Sequence, residues 1–348
     1  MLEDGTTYSG VSLGTEASVA GEVVFNTGMV GYLEALTDPS YRGQILVLTY
    51  PFIGNYGVPK ATRENRLPSP FESDRVQVSG LIVSEAALGY SHWAATRSFA
   101  QWLEDERIPV VVGVDTRALT KQLRTAGSTL GKIVGGTVDV SFEDPNLSNL
   151  VSQVSVSKPV IYPGGPRRVV LVDCGCKASI VRSLLRHGVT VIRVPWDYDF
   201  LNEEFDGVVI SNGPGDPRMC SATVAHIRRV IEQNKPVLGI CLGHQILALA
   251  AGAKTYKLKF GHRGQNQPCL EEGTKRCYIT SQNHGYAVDP RTLPASWEPW
   301  FTNANDGTNE GLRHRSQPFM SVQFHPEAAP GPVDTEHVFD RFLDLLHD

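Results

Sequence analysis

Hydrophobic and polar positions follow different patterns in the two halves of the chain. In residues 1–150, short β-branched and apolar runs are bounded by Gly, Pro and Asp, which is typical of strands. These runs lie at residues 21–25, 44–49 and 76–83. One amphipathic helix is predicted to begin after Ser91, and a second to begin after Asp115 and end at Gly127. The pattern therefore predicts an N-terminal mixed α+β domain.

The second half, residues 168–348, alternates apolar runs with stretches of helical periodicity. The runs predict buried strands at residues 169–172, 189–194, 207–211 and 236–240. Parallel strands joined by crossover helices predict a doubly wound α/β sheet, whose functional site lies beyond the carboxyl ends of the strands. Residues 151–167 are rich in Ser, Pro and Gly and are predicted to link the two domains.

Length and charge narrow the class of protein. The 348 residues fit two domains of roughly 100–200 residues each. The formal net charge is −5 and no long run of Lys or Arg occurs, so nucleic acid and anionic membrane surfaces are disfavoured as partners. No stretch reaches the roughly 18 apolar residues of a membrane span, and no secretory signal opens the chain, so a cytoplasmic location is expected.

The cysteines argue against a disulfide scaffold, because there are only six and a reducing compartment would keep them as thiols. Cys174 and Cys176 form a CxC pair, but no second Cys or His pair follows at zinc-finger spacing, so no metal site is predicted. The Gly-x-x-x-x-Gly-Lys-Ser/Thr loop that binds ATP does not occur either. The chain is expected to carry no metal or cofactor of its own.

Cys241 lies where a predicted strand meets a predicted helix, between Gly239 and Gly243. The glycines permit a tight, strained turn that presents the thiol beyond the sheet, which is the geometry of a nucleophile elbow. The N-terminal dipole of the following helix favours the thiolate form, so Cys241 is predicted to be a nucleophile. The alternative is a small buried cysteine that only fills space.

A thiolate nucleophile needs a group that takes and returns protons, and His325 follows the strand-like run at residues 322–324. Glu327 lies two residues later, so on an extended chain it points to the same side and can orient the imidazole. Cys241, His325 and Glu327 are therefore predicted to form a catalytic triad. A histidine at a strand end, taken alone, is more often structural.

Acyl transfer also needs N–H donors for the oxyanion of its tetrahedral intermediate. Gly213 and Gly215 lie in a Pro-interrupted turn after the neighbouring strand, where their backbone can approach a ligand closely. The N–H of Leu242 directly follows the nucleophile. These groups are the predicted donors, with a plain turn as the alternative for the glycines.

Four ordered motifs then make the second half recognisable. They are residues 212–217 (Asn-Gly-Pro-Gly-Asp-Pro), 239–245 (Gly-Ile-Cys-Leu-Gly-His-Gln), 282–286 (Gln-Asn-His-Gly-Tyr) and 324–327 (Phe-His-Pro-Glu). In this order they resemble the motifs of class I, triad-type glutamine amidotransferases. The first half resembles the small chain of carbamoyl-phosphate synthase at residues 28–32, 36–41, 49–51, 53–57 and 114–120. Essentially the whole length matches this family.

The resemblance implies hydrolysis of L-glutamine to glutamate and ammonia, which passes through a tunnel to a large synthetase partner that uses bicarbonate and two ATP. ATP and Mg are expected on that partner, and the product serves pyrimidine or arginine biosynthesis. The resemblance assigns attack on the carboxamide to Cys241, proton transfer to His325 and support of the imidazole to Glu327. It places glutamine against Ser40, Gly213, Gly215, Leu242, Gln245, Asn283, Gly285 and Tyr286.

The chain departs from the family pattern at Tyr286, where Phe is more usual, and at its start, which lacks several residues of the first strand. Its end after a terminal helix favours a free-standing small subunit over an excised domain. Two other functions stay open: a non-catalytic protein that only docks on the synthetase, and another Cys hydrolase. The α/β-hydrolase fold fits poorly, because its acid normally precedes the histidine by many residues, whereas Glu327 follows His325.

Overall fold

The computed structural model describes residues 1–347 and divides into two compact units, Met1–Ser148 and the chain from Asn149 onward. Asp348, at which the predicted second domain ends, lies outside the described residues. The stretch 151–167, predicted as a linker, differs from that prediction. It belongs to the second unit because it forms a helix at Val151–Val154 and a strand at Val160–Tyr162 that pairs with that unit's sheet.

The first unit is a mixed α+β structure, as predicted. Its strands are β1 (Val11–Gly14), β2 (Val19–Asn26), β3 (Gln44–Leu48), β4 (Phe52–Ile53), β5 (Val58–Pro59), β6 (Thr62–Glu64), β7 (Leu67–Ser69), β8 (Gly80–Val83), β9 (Glu85–Ala86), β10 (Ala95–Arg97), β11 (Pro109–Val112) and β12 (Thr129–Ile133). Its helices are α1 (Tyr32–Thr37), α2 (Phe99–Asp105) and α3 (Thr116–Ala126). The main sheet has the order β1-β11-β8-β3-β2-β12.

Helix boundaries in this unit follow side-chain capping. The Asp115 carboxylate accepts the Ala118 N–H and Gly127 ends α3, so that prediction is confirmed. The predicted start after Ser91 is wrong, because α2 begins after Ser98. The Ser98 hydroxyl accepts the Gln101 N–H, and the Gln101 side chain accepts the Ser98 N–H, which makes a capping box.

The second unit contains the predicted strand and helix alternation. Its strands are β13 (Val160–Tyr162), β14 (Arg168–Asp173), β15 (Thr190–Pro195), β16 (Gly207–Ile210), β17 (Val237–Ile240), β18 (Lys254–Glu271), β19 (Cys277–Asp289), β20 (Trp297–Asn303), β21 (Asn309–His314) and β22 (Phe319–Val322). Its helices are α4 (Val151–Val154), α5 (Ala178–Arg186), α6 (Ser221–Glu232), α7 (Leu242–Ala251) and α8 (His337–Asp344).

One sheet runs through this unit in the order β13-β15-β14-β16-β17-β22-β21-β20-β18-β19. The five strands from β15 to β22 are parallel, and the chain order reverses beside β14, as in a doubly wound sheet. Val170 and Val172 of β14 pack with Ile227 of α6 and Ile246 of α7. Alternate residues of β14 face the other side and are also buried, so both faces of the parallel part are covered.

The remaining strands extend the sheet in antiparallel fashion. β18 and β19 form a long hairpin, β20 pairs with both β18 and β21, and β21 pairs with β22. This extension brings the motif at residues 282–286, which lies on β19, close to the carboxyl end of β17. Among residues 1–347, no helix is both long and apolar enough to cross a lipid bilayer.

Candidate active site

Cys241 directly follows β17 and precedes α7. Its φ is 54° and its ψ is −103°, a backbone conformation that a residue with a side chain rarely adopts. The Cys241 N–H donates to the Val322 carbonyl oxygen at 2.9 Å. A Cβ on Gly243 would lie 2.1 Å from the Ile210 carbonyl oxygen, so glycine is needed for α7 to pack this closely on β16. The thiol is thus held at the carboxyl end of β17 on a strained turn.

His325 lies just beyond β22, the strand next to β17. Its Nδ1 is 2.7 Å from Glu327 Oε1, and because a carboxylate oxygen accepts, Nδ1 carries the proton. Its Nε2 is buried and forms no hydrogen bond within residues 1–347. Nε2 is therefore the nitrogen left to exchange a proton with the thiol or the substrate.

Charges around the imidazole favour its protonated form. Burial acts to lower the pKa of His325, but Glu327 raises it; Lys177 opposes this increase, Cys241 adds to it, and the pKa is raised to about 10. Burial acts to raise the pKa of Glu327, but Lys177 and His325 outweigh burial and lower it. The pair is thus an imidazolium and a carboxylate at neutral pH.

Lys177 completes this group and was missed by the sequence analysis. It is buried in the turn between β14 and α5, and its Nζ donates to Glu327 Oε1 at 3.0 Å and to the Ala328 carbonyl oxygen. Its backbone N–H donates to Asn212 Oδ1 at 3.0 Å. Lys177 therefore joins the carboxylate to the turn at residues 212–217. Its place in the turn after the first strand of the βαβ unit is visible in the sequence, but its contact with Glu327 is not.

Two further cysteines, Cys174 and Cys176, lie just before Lys177 in the chain. Cys174 and Cys176 are buried, and burial, with Cys220 next in importance, raises the pKa of Cys174 well above its usual value. Burial likewise raises the pKa of Cys220 to about 12. Thiols in such surroundings stay protonated and are poor nucleophiles.

The predicted oxyanion donors lie at neighbouring strand ends. Leu242 opens α7, where the first backbone N–H groups of a helix have no intrahelical acceptor. A Cβ on Gly213 would come 1.9 Å from the Cys174 carbonyl oxygen and 2.8 Å from Leu242 Cδ2, so only glycine fits beside Leu242. Gly215 lies in the same turn with a φ of +84°.

Strand β19 faces the nucleophile with the predicted residues 283–286. The Cys241 Sγ is 3.6 Å from the Asn283 carbonyl oxygen. The Gln245 Nε2 donates to the Tyr286 carbonyl oxygen at 2.9 Å and to Gln323 Oε1 at 3.0 Å. The structure therefore brings Gln245, Asn283 and Tyr286, with Gly285 between the last two, around the turn that carries the thiol.

Ser40 belongs to the first unit. It is buried in the 3₁₀ turn Pro39–Tyr41, and its N–H donates to Asp38 Oδ1 at 2.9 Å. Its contact with glutamine stays a prediction. A separate group within the described part of the chain, His262, His284 and Glu310, has ligand atoms spaced for a metal ion.

Family models match both halves of the chain. Residues 170–345 match the family model of glutamine amidotransferase class-I, and residues 1–133 match that of the carbamoyl-phosphate synthase small chain, CPSase domain. Among solved structures, a glutamine amidotransferase of Thermotoga maritima is 21% identical with a TM-score of 0.38, and the match covers 52% of this chain and 84% of that one.

Curated relatives match along the whole chain. The multifunctional protein CAD of Squalus acanthias is 52% identical over 354 residues, which is 100% of this chain and 16% of the relative. The human mitochondrial carbamoyl-phosphate synthase [ammonia] is 50% identical over 351 residues, 99% of this chain and 23% of the relative. This chain thus spans between about a sixth and a quarter of the length of these relatives. It belongs to the class I glutamine amidotransferase family, in the branch that carries a carbamoyl-phosphate synthase small-chain domain before the amidotransferase domain.

Proposed function

We propose that this chain hydrolyses L-glutamine to glutamate and ammonia, and that the ammonia passes to a large synthetase partner that makes carbamoyl phosphate from bicarbonate and ATP. The observation that carries the proposal is the strained turn of Cys241 beside an imidazole whose Nδ1 is held by a buried carboxylate at 2.7 Å. This arrangement supplies a nucleophile and a proton carrier in one water-poor site.

The residues define a two-step reaction. The Cys241 sulfur attacks the carboxamide carbon of glutamine, and the C–N bond breaks as His325 gives its Nε2 proton to the leaving ammonia. The product of this step is a γ-glutamyl thioester. Nε2 then takes a proton from water, whose oxygen attacks the thioester carbon, and the sulfur leaves as a thiolate, with glutamate as the product. Glu327 and Lys177 keep the imidazole in place during both proton transfers.

The oxyanion of each tetrahedral intermediate lies, in this proposal, against the N–H of Leu242 and the backbone of Gly213 and Gly215. Such donors at the start of a helix are fixed before the reaction and need no reorganisation. Removal of one donor of this kind typically costs about 10²–10³ in rate. The turn supports this role, because no residue larger than glycine fits at position 213.

Glutamine itself is proposed to lie between α7 and β19. The two Gln245 N–H groups are used by the Tyr286 and Gln323 oxygens, so the free group of this amide is its oxygen, which suits the substrate's α-ammonium. Asn283, Gly285 and Tyr286 offer backbone and side-chain polar groups to the rest of the substrate. Ser40 is included among the glutamine-binding residues only because the chain resembles the carbamoyl-phosphate synthase small chain.

Overall identity does not separate this function from a non-catalytic docking protein. A relative named for ammonia is 50% identical to this chain, almost the same as the 52% of the multifunctional protein CAD. The presence and geometry of Cys241, His325 and Glu327 favour glutamine hydrolysis. A different Cys hydrolase is disfavoured, because residues 170–345 match the glutamine amidotransferase family model. Such a hydrolase would also not account for the small-chain domain at residues 1–133.

Partner and location are parts of the same proposal. The large synthetase partner would bind ATP and Mg, and the small-chain domain would dock on it. A cytoplasmic location agrees with six free thiols among the described residues, since reducing compartments keep cysteines in this state. Imaging of the tagged natural protein in its own cells tests the location.

Substitution of the nucleophile tests the function. In a complex reconstituted with its large partner, Cys241→Ser is expected to abolish glutamine-dependent carbamoyl phosphate synthesis and to leave ammonia-dependent synthesis as it was. Cys174→Ser serves as the control, because this thiol is buried and has a raised pKa. Unchanged use of glutamine by the Cys241→Ser complex would disprove the proposed role.

A further inference from the structure

His262, His284 and Glu310 come together in the antiparallel part of the second unit. They lie on β18, β19 and β21, and their candidate ligand atoms are all within 4.8 Å of one another. The three residues are only 8%, 4% and 0% exposed. None of them has a part in the proposed glutamine chemistry.

The second nitrogen of each imidazole is held by an oxygen acceptor. His284 Nδ1 is 2.8 Å from the Tyr286 carbonyl oxygen, and His262 Nε2 is 2.9 Å from Asp306 Oδ2. Because these oxygens accept, each of these nitrogens carries a proton. Histidines that bind metals almost always donate their other N–H to a carbonyl or a carboxylate in this way. His284 Nε2 and His262 Nδ1 are then the lone-pair nitrogens in the neutral rings.

These lone pairs converge on oxygen atoms. Gln282 Oε1 is 3.0 Å from His262 Nδ1 and 3.2 Å from His284 Nε2. Glu310 Oε1 is 3.2 Å from His262 Nδ1 and 3.9 Å from His284 Nε2. The Gln282 amide nitrogen points away, toward Thr280 Oγ1 at 3.1 Å. The centre of the group is therefore rich in acceptors and has few donors, of which Asn303 Nδ2 lies 3.5 Å from His262 Nδ1.

Glu310 shows the same shortage of donors. Its Oε1 receives hydrogen bonds at 3.2 Å from Thr308 and at 3.4 Å from Asn303, whereas its Oε2 is buried with no hydrogen-bond partner among residues 1–347. Among the same residues no Lys or Arg forms an ion pair with Glu310. A buried carboxylate without such a cation is costly. Protonation of His262 would satisfy Glu310 Oε1 but would leave His284 Nε2 against the Gln282 oxygen.

We propose that His262, His284 and Glu310 bind a divalent transition-metal ion, best matched by zinc, with Gln282 Oε1 as a further oxygen ligand. A ligand set of two imidazoles and a carboxylate is one that zinc accepts in proteins. Bonds of about 2.0–2.2 Å to such ligands place tetrahedral neighbours about 3.3 Å apart, close to the 3.0–3.9 Å seen between these nitrogens and oxygens.

The site adjoins the strand that faces the nucleophile. The Tyr286 carbonyl oxygen that accepts from His284 Nδ1 also accepts from Gln245 Nε2 at 2.9 Å. A metal ion on His284 would therefore fix β19 and Gln245 together. Its role is structural: it joins β18, β19 and β21 behind the residues proposed to hold glutamine.

Metal retention by the full chain tests the proposal. Chain treated with a chelator, incubated with ZnCl2 and desalted is expected to keep stoichiometric zinc by elemental analysis. The same chain loaded with Co²⁺ should show the visible absorption of a four-coordinate ion without a thiolate charge-transfer band. Failure to retain either ion, or a thiolate band, would overturn the assignment.

Variants locate the ion. Asp306→Asn changes only an outer partner at the surface and should weaken zinc binding by about 10–100-fold, with larger losses for His262→Asn and Glu310→Gln. His187→Asn, which removes a histidine paired with the exposed Asp340, should bind zinc like the unmodified chain. Cys241→Ser should also retain zinc. Loss of zinc in Cys241→Ser, or equal binding by Asp306→Asn and the unmodified chain, would contradict the proposed site.

Discussion

Two buried groups of histidine and carboxylate in the second unit use the same residue types in different ways. In the first, Glu327 Oε1 accepts from both His325 Nδ1 and Lys177 Nζ. In the second, Glu310 has two imidazoles nearby and, among residues 1–347, no lysine or arginine partner. The first group has its negative charge balanced within the protein. The second has more acceptors than donors.

The position of the nearest thiol separates the two groups further. Cys241 stands on a strained turn at the carboxyl end of a parallel strand, whereas Cys269 lies within β18, where its Sγ is 3.3 Å from Gln282 Nε2. Burial, followed by Glu310, raises the pKa of Cys269 above its usual value, so this thiol stays protonated. Residue type alone thus does not distinguish these two thiols. Their backbone conformation and surroundings do.

The largest expected effect comes from substitution of His325 in the first group. His325→Asn should lower the rate of glutamine hydrolysis by about 10²–10⁴-fold, because general acid–base catalysis of this kind is lost. Zinc retention should stay as in the unmodified chain. Glutamate release by the reconstituted complex measures the first effect and elemental analysis the second. A decrease in rate below about tenfold would show that the imidazole is not the proton carrier.

The second-largest effect is expected on stability, when the Lys177 ammonium of the first group is removed. Lys177→Met leaves the Glu327 carboxylate buried without its lysine, which should lower the free energy of unfolding by about 3–5 kcal/mol. Urea unfolding of the second unit measures this loss. Arg186→Met is the control, because its ion pair with Glu336 is exposed and contributes only about 0–1 kcal/mol. Equal losses in the two variants would contradict the account.

A smaller effect is expected in the pH dependence of stability, which should decrease as the pH rises. Burial opposes the charged ring, but Glu327 outweighs burial and raises the pKa of His325 from 6.5 to about 10, so the protonated ring stabilises the folded chain. This contribution should be complete below pH 6.5 and should disappear as the pH rises toward about 10. In Glu327→Gln, the free energy of unfolding should decrease less between pH 6.5 and about 10. Unfolding free energies of both proteins at successive pH values measure the difference, and identical profiles would contradict it.

Local signals in the sequence predicted much of the fold. The apolar runs located four of the five parallel strands of the second unit, and Asp115 with Gly127 bounded α3, because these signals depend on neighbouring residues. The run at residues 322–324 overlaps the fifth strand, β22, only at Val322. The start of α2 was missed although Ser98 and Gln101 have the spacing of a capping box. The predicted start after Ser91 lies in an exposed part of the chain, where Trp93 is 92% exposed and contributes to no core.

The candidate site residues that the sequence reveals lie in short contiguous motifs. Cys241 and the pair of His325 and Glu327 each belong to one short segment. Lys177 contacts a carboxylate 150 residues away, and His262 contacts Glu310 48 residues away, so no periodicity or spacing reveals them. These contacts depend on strand order in the sheet, which becomes known only from the three-dimensional structure.

Capture of the thioester tests covalent catalysis by Cys241 most directly. The reconstituted complex is mixed with L-glutamine, quenched in acid during turnover and mapped by mass spectrometry of its peptides. One added glutamyl group is expected on Cys241, with the other five cysteines unmodified. Release of glutamate without any adduct on Cys241, or an adduct on a different cysteine, would contradict covalent catalysis by Cys241.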